Sequence, residues 1–480
     1  MKKRIDLPQV SDVTLPEVFH LRPGIWILII LAILVAIFVF LLCFLPGIVK
    51  GGRYVTFFAP LSESGITIDG TYLGSADHQY FIQSGEHQVV AVKGGVAYAT
   101  ETITIDHPLF LTALIHRTRE VAIHPEPLSE QQKLAIIGYD LEEIQKASAI
   151  LQWTMVNRYA PVYSNLTRDL DVLKLDAATE EDAIALSLYY ITSTEMLEDA
   201  TDAFKDRNDG KIGHMLTAAR QVITQGAATT TVQARTLPST KTHESTLTTD
   251  LFTIEGTGYP AITFTMGNDS DHSYPAVKER PVTITTPPFA LANLPVSLTE
   301  WAHFIEENPK WAKSNKDALV QEALADTSYL SGLAPSTIFV TSRALTNVSY
   351  RAALAFCAWL TEKSGKEVLL PTEAMYSAAA LNHPNLAYHT SLTPGLDGKN
   401  PAMLLGGVWE ITQTPFIPLS RLFDYEEALR LHSAFGLEPS PIVKGGSYLN
   451  DVATITADTV GTIPPYASGD QIGFRIAWYE

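Results

Sequence analysis

Cysteine is almost absent from this 480-residue chain, which holds only Cys43 and Cys357. Cys43 lies in a long apolar run, and Cys357 falls on the apolar face of an expected helix. A disulfide between them is excluded on those surroundings. The outer part of the protein must therefore hold together by packing alone. Basic residues are also scarce, 34 Lys and Arg against 52 Asp and Glu, for a net charge of -18. Such a chain repels a phosphate backbone, so nucleic acid is excluded as a partner. Several short catalytic signatures are missing too: a GxSxG elbow, a Walker loop, a dinucleotide fingerprint and HExxH. The length suffices for two or three domains with their own cores.

What is present begins with an apolar block. Ile25 to Leu45 is 21 residues without a charged or polar side chain. At about 1.5 Å per residue it spans the hydrocarbon core of a bilayer. Trp26 sits at the interfacial position, and Pro46-Gly47 reads as the end of the helix. Lys2, Lys3, Arg4 and Arg22 precede the block, and only Lys50 and Arg53 follow closely. The excess on the N-terminal side predicts a cytoplasmic tail over 1–24, a transmembrane anchor over 25–49, and the bulk outside. A cleaved signal peptide is the competing reading, but the run is long and no small-residue cleavage site follows. A core helix is the other alternative, and the unbroken apolarity on every face over 21 residues argues for the membrane instead.

Residues 53–108 alternate apolar and polar in short runs divided by turn signals, as small all-β domains do. Strands are expected at Tyr54–Phe58, Ile66–Ile68, Thr71–Gly74, Gln88–Lys93 and Thr102–Ile105. Asp69-Gly70 supplies the hairpin turn. The run IDGTYLG followed by SGEHQVVAVK is similar to the PEGA domain, a small sandwich found on bacterial surface and envelope proteins. That resemblance implies a spacer or adhesive unit. Residues 129–225 read as helical. Ser129 and Gln132 form a capping box, and Leu134, Ile137, Leu141, Ile144, Ser148, Leu151 and Met155 make a seam at alternating steps of three and four. Thr179 is expected to cap a second long helix running to Asn208-Asp209-Gly210, and Ile212–Ile223 to form a third. A helical hairpin or small bundle fits, as does a partner-binding arm through which the chain self-associates. Thr-, Ala- and Ser-rich 226–250 reads as a linker.

The C-terminal 251–480 carries the most specific pattern. Ser349 caps a helix whose apolar residues are Tyr350, Ala353, Leu354, Cys357 and Leu360, and Gly365 ends it. Val368-Leu369-Leu370 follows as a short strand, then Pro371-Thr372 starts a helix at Glu373. The order helix, strand, LPTEA, GGVWE, KGGSY, GFR resembles the formylglycine-generating enzyme (sulfatase-modifying factor) family, which implies a C-type-lectin-like fold. Phe252–Ile254 and Ile262–Gly267 resemble the opening hairpin of that family. The expected fold class is thus multidomain α+β: one N-terminal transmembrane helix, a PEGA-like β-sandwich, a helical hairpin or bundle, and a C-type-lectin-like domain.

Within that resemblance the enzymes hold copper with two cysteine thiolates, the first following GGS-aromatic-x. Here Asn450 occupies that position, and no cysteine follows Cys357. Amide oxygen does not replace thiolate for Cu(I). A second branch binds iron through a His-x3-His-x-Glu run, of which this chain has no copy. Gly407 replaces the asparagine of the GNVWE block, where relatives hold calcium, leaving calcium the one cofactor the resemblance keeps open. The expectation is a membrane-anchored envelope protein with a non-catalytic domain that binds a surface ligand or other envelope proteins. It would sit in a bacterial inner membrane, N-terminus cytoplasmic and bulk periplasmic. The alternative is a metal-dependent oxidoreductase with a non-cysteine site. Binding would use the loops His383–Leu405 and Gln413–Ser440, with Trp409, Glu410, Tyr448, Asn450 and Tyr466 as the candidate surface.

Overall fold

The computed structural model describes residues 20–112, 118–150, 159–225, 240–266, 282–333, 343–383, 387–393 and 401–480. Two compact units divide at Leu128–Ser129.

The first unit opens with helix α1, Pro23–Val49, apolar enough and long enough to cross a membrane, with its side chains exposed all round. The helix does not stop at Pro46-Gly47. A proline disrupts only the turn before it, and the Lys50 N–H still closes a bond to the Pro46 carbonyl at 2.9 Å. Seven strands follow: β1 Gly52–Phe58, β2 Gly65–Ile68, β3 Thr71–Ser75, β4 Gln79–Gln83, β5 Gly85–Lys93, β6 Val96–Ile105 and β7 Thr118–Ala122. They form a sheet in the order β4-β1-β7 and another in the order β3-β2-β5-β6. Val55 and Phe57 from the first, and Ile66, Val89, Ala91 and Tyr98 from the second, are fully buried. The module runs past residue 108, because β7 pairs in parallel with β1. Only Val121 of β7 is buried, so that strand lacks the alternation that would reveal it.

The second unit starts with five helices: α2 Glu130–Ile150, α3 Val162–Leu173, α4 Ala177–Leu188, α5 Thr194–Ala203 and α6 Gly210–Gln225. The Ser129–Gln132 capping box forms. Ile137, Leu141 and Ile144 of the seam are buried where α2 packs on α3 and α4 of the same chain. Leu151 and Met155 lie outside the described residues. The expected second long helix is two helices. Asp176, not Thr179, caps the first by accepting the Ala178 and Thr179 N–H groups, and Ser193 caps the second through the Met196 N–H. Helix α3 begins straight after Pro161 without a local side-chain cap. Asp199 of α5 supplies one, accepting from the Tyr163 and Ser164 N–H groups.

The rest of the second unit is two main sheets with helices. Strands β8 His243–Thr248, β9 Thr253–Tyr259, β10 Ile262–Met266, β11 Val282–Thr286 and β12 Phe289–Ala292 lead to helices α7 Leu298–Glu307, α8 Lys316–Gln321 and α9 Tyr350–Ser364. Then come β13 Val368–Leu369, helix α10 Glu373–Asn382, β14 Tyr388–His389, β15 Leu405–Gly406 and β16 Trp409–Pro415. Helix α11 Tyr425–Ala434, β17 Pro441–Lys444, β18 Val460–Thr462, β19 Ile472–Phe474 and β20 Ala477–Tyr479 complete the chain. The sheets run β13-β20-β12-β9-β8 and β18-β17-β16-β19.

Part of the expected linker is therefore strand: β8 is an edge strand with only Leu247 buried, a polarity that reads as linker. The opening hairpin does not form as expected either. β9 pairs with β8 and β12, and β10 pairs with β11. Ser349 and Thr372 cap α9 and α10, and Gly365 adopts φ 70 as the left-handed terminator of α9. The buried face of α9 is rotated from expectation. Phe356 and Trp359 point inward while Leu354 is 37% exposed, because α9 meets α7 in an aromatic cluster. In that cluster Trp301 stacks on Phe356 at 5.7 Å, and Phe474 meets Phe356 edge-on at 5.4 Å.

Candidate functional site

Glu410 and Arg475, from the GGVWE and GFR blocks, meet at the centre of the domain, both fully buried. The pairing is bidentate: Arg475 Nε donates to Glu410 Oε2 at 2.8 Å and Nη2 to Oε1 at 2.7 Å. Nη1 donates to the Ala292 and Asn293 carbonyls, and Nη2 also to the Ala402 carbonyl. All five guanidinium N–H groups are thereby used. Burial pushes the Glu410 carboxyl above its ordinary value, against the pull of the facing guanidinium. Glu410 is thus withdrawn from any ligand surface. Through Arg475 it ties β16 to the end of β12 and the turn before β15, so its block pattern records a fold constraint. Trp409 is 9% exposed and packs in the aromatic and aliphatic core. The expected surface keeps three residues, Tyr448, Asn450 and Tyr466, all partly buried.

Asn450 closes the turn after β17. Its Oδ1 accepts from the Ser447 N–H at 2.8 Å and from Ser447 Oγ at 2.9 Å. Tyr388 Oη donates to the Ser447 carbonyl, which braces the turn from β14. The amide is a structural clasp, with no thiolate in reach. Cys357 is 3% exposed on α9, and burial pushes its thiol up. The residues present do not fit the copper of the family's enzymes. At Gly407 (φ 70) a Cβ would meet Met403 Cε at 2.3 Å, and the Gly407 carbonyl accepts the Tyr448 N–H. In this chain the Met403 side chain thus lies where an asparagine Cβ would start. Among the described residues, no group of three or more His, Cys, Asp and Glu comes together at one point.

Beside the Asn450 turn lies a cleft of about 210 Å³ whose lining includes Leu298, Arg343, Asn347, Leu392, Tyr448 and Asp470. Three loops build it. Leu298 N–H bonds the Arg343 carbonyl, Asn347 N–H bonds the Gly469 carbonyl, and Ser447 Oγ bonds Gln471 Oε1. Among the described residues, the side chains of Arg343, Tyr448 and Asp470 make no hydrogen bond or ion pair. A guanidinium, a carboxylate and a phenol thus line one cleft together with Leu298 and Leu392. Sequence reading found Tyr448 and missed Arg343 and Asp470, which carry no local signature.

Of the two loops expected to bind, His383–Leu405 lies partly outside the described residues. Gln413–Ser440 contains α11, which docks on the helical bundle. Tyr190 Oη donates to His432 Nε2 at 2.7 Å, and His432 Nδ1 donates to the Ala428 carbonyl. Tyr189 Oη donates to the Asp424 carbonyl, while Arg430 pairs with Asp182 and Lys211 with Glu427. Hydrogen bonding from Arg430 brings the Glu427 carboxyl down to about 2. This segment is therefore an internal interface.

Residues 242–401 match the family described as the sulfatase-modifying factor enzyme 1-like domain. The chain carries a domain of that family. The match ends before the GGVWE, KGGSY and GFR blocks, so the region where the family's first cysteine would fall lies beyond it. An uncharacterized protein of Borreliella burgdorferi is 20% identical over 399 residues, covering 76% of this chain and 78% of that one. Among solved structures, PvdO from Pseudomonas aeruginosa has 17% identity and a TM-score of 0.35, covering 47% of this chain and 95% of that one. Treponema denticola variable protein 1 has 15% identity and a TM-score of 0.34, covering 49% and 99%.

Proposed function

We propose that this protein is a membrane-anchored envelope component whose sulfatase-modifying factor-like domain binds a ligand or partner protein without catalysing a reaction. In this reading α1 is an uncleaved single-pass anchor in a bacterial inner membrane, and the PEGA-like module spaces the binding domain from the bilayer in the periplasm. The observation that carries it is position 450, where an asparagine spends its carbonyl oxygen closing a turn and no thiolate replaces it. The neighbouring cleft, with Arg343, Tyr448 and Asp470 unpaired among the described residues, is where binding would take place. Neutral or zwitterionic ligands with an apolar part match it better than a polyanion, given one cation and one carboxylate in the lining.

The test uses full-length protein purified in mild detergent. A thiol-bearing peptide should remain unconverted, with no aldehyde captured by a hydrazide, and stoichiometric copper or iron should be absent from the protein. A photo-crosslinking residue at Tyr448 should capture an envelope component that Arg343→Glu abolishes, while one at exposed Glu362 captures nothing. Aldehyde formation by the pure protein, or stoichiometric redox metal, overturns the reading in favour of an oxidoreductase.

A further inference from the structure

The β6–β7 connection carries the apolar run Pro108-Leu109-Phe110-Leu111, and it turns back along the last turns of α1. The Leu111 N–H donates to the Cys43 carbonyl at 2.7 Å, and the Phe110 ring lies 5.2 Å from Phe44. His107 Nε2 donates to the Gly47 carbonyl at 2.7 Å, satisfying one of the carbonyls a helix end leaves open. Gly47 permits this approach, since a Cβ there would come within 2.5 Å of the Leu109 carbonyl oxygen. Gly51 does the same one turn on, where a Cβ would meet the His107 ring at 2.4 Å. The connection thus meets α1 at Cys43, Phe44 and Gly47, and the chain just after it at Gly51.

These contacts fix its depth. Cys43 lies two residues inside the apolar run that ends at Leu45, about 3 Å along the axis. Leu109 and Phe110 are 50% and 49% exposed at that level. Just beyond the apolar run the chemistry changes sign: Asp106 pairs with Arg53 at 3.0 Å, and Lys50 follows α1. Between them is a cavity of about 650 Å³ whose lining includes Lys50, Tyr54, Phe81, Gln83, Ser84 and His107. Apolar side chains at hydrocarbon depth, capped by a polar and aromatic layer, match the profile of a bilayer interface.

We propose that Leu109, Phe110 and Leu111 enter the outer leaflet beside α1, giving the β module a second hold on the lipid, with the cavity above them at headgroup level. The occupant is lipid, because the exposed residues stand at the depth of the anchor's own apolar run. A re-entering connection needs its backbone groups satisfied within the hydrocarbon, which the Leu111–Cys43 bond begins to do. The β module is then held at one height on the membrane instead of swinging on a single tether.

This inference rests on α1 being an anchor, and the experiment separates the two. Full-length protein in a Cys43→Ser background, with Cys357 buried, receives one new cysteine labelled with the fluorophore NBD. The positions are Phe110→Cys, Leu109→Cys, Ile33→Cys in α1 and Tyr72→Cys on β3, each reconstituted into phosphatidylcholine–phosphatidylglycerol vesicles containing doxyl-labelled lipid. Expected is strong quenching at Ile33, Phe110 and Leu109, and none at Tyr72. An unquenched Ile33 removes the anchor and the inference with it. Quenching at Ile33 but at neither Phe110 nor Leu109 leaves the anchor standing and overturns the inference. Blue-shifted emission at Phe110 without lipid quenching also overturns it, because protein then covers the loop.

Discussion

Replacing Arg475 with methionine tests the reading of the Glu410–Arg475 pair as a fold constraint. Arg475→Met removes both bonds to Glu410 and takes the guanidinium donors from the buried carbonyls of Ala292, Asn293 and Ala402, of which Asn293 keeps the Ala402 N–H. Breaking one side of a buried ion pair costs about 3–5 kcal/mol, and each carbonyl left without a donor adds up to about 1 kcal/mol. A total near 5 kcal/mol, in a unit running from Ser129 to Glu480, lowers its Tm by about 7 °C. Differential scanning calorimetry of the full chain reads this directly. The double variant Glu410→Gln/Arg475→Met should recover part of the loss, because no buried charge is left uncompensated. The pH dependence carries a sign. Without Arg475 the folded-state pKa of Glu410 rises further above its unfolded value, so the destabilisation is greatest at high pH. It diminishes as pH falls through that raised folded value. A loss below about 1 kcal/mol, or one that is flat with pH, refutes the argument.

Two further outcomes follow from buried groups. Tyr190→Phe leaves His432 Nε2 buried without its donor and should cost about 1–3 kcal/mol in denaturant unfolding; a cost near zero would mean that α11 does not depend on the bundle. Burial lowers the His432 pKa below its ordinary 6.5, so wild-type stability from this group is complete above 6.5 and lost as pH falls below it. A Tm that climbs across that range as acid is added, once carboxylate effects are matched in a His432→Gln control, contradicts this. Finally, Cys357 should resist iodoacetamide in the native protein and react on unfolding, followed by mass spectrometry. Rapid native alkylation would show that the packing around α9 is open.

Much of the local structure was legible because it obeys short-range rules. The caps at Ser129, Ser349 and Thr372, the Gly365 terminator and the apolar length of α1 each follow from a few adjacent residues. Some misses were readable signals passed over. Helix α3 buries Val162, Tyr163, Leu166, Leu170 and Leu173 at helical spacing, and Ser193 is an ordinary cap. Others were not readable locally. Polar edge strand β8 exists only because β9 offers it a hydrogen-bonding edge, and α3 is capped by a carboxylate from α5. The rotated face of α9 is chosen by Trp301 and Phe474, which arrive from distant parts of the chain.

From the sequence alone came the missing thiolates, the apolar helix, and the ordered blocks that named the domain family. These are matters of composition and spacing, and they hold whatever the chain does in space. Only the tertiary structure decided that Glu410 is an interior partner of Arg475, that Asn450 is a clasp, and that Arg343 and Asp470 share a cleft with Tyr448. It also brought Leu109 and Phe110 beside the end of α1. In each case the deciding energy is contact or charge pairing between residues distant in the chain, and no local pattern encodes which of them will meet.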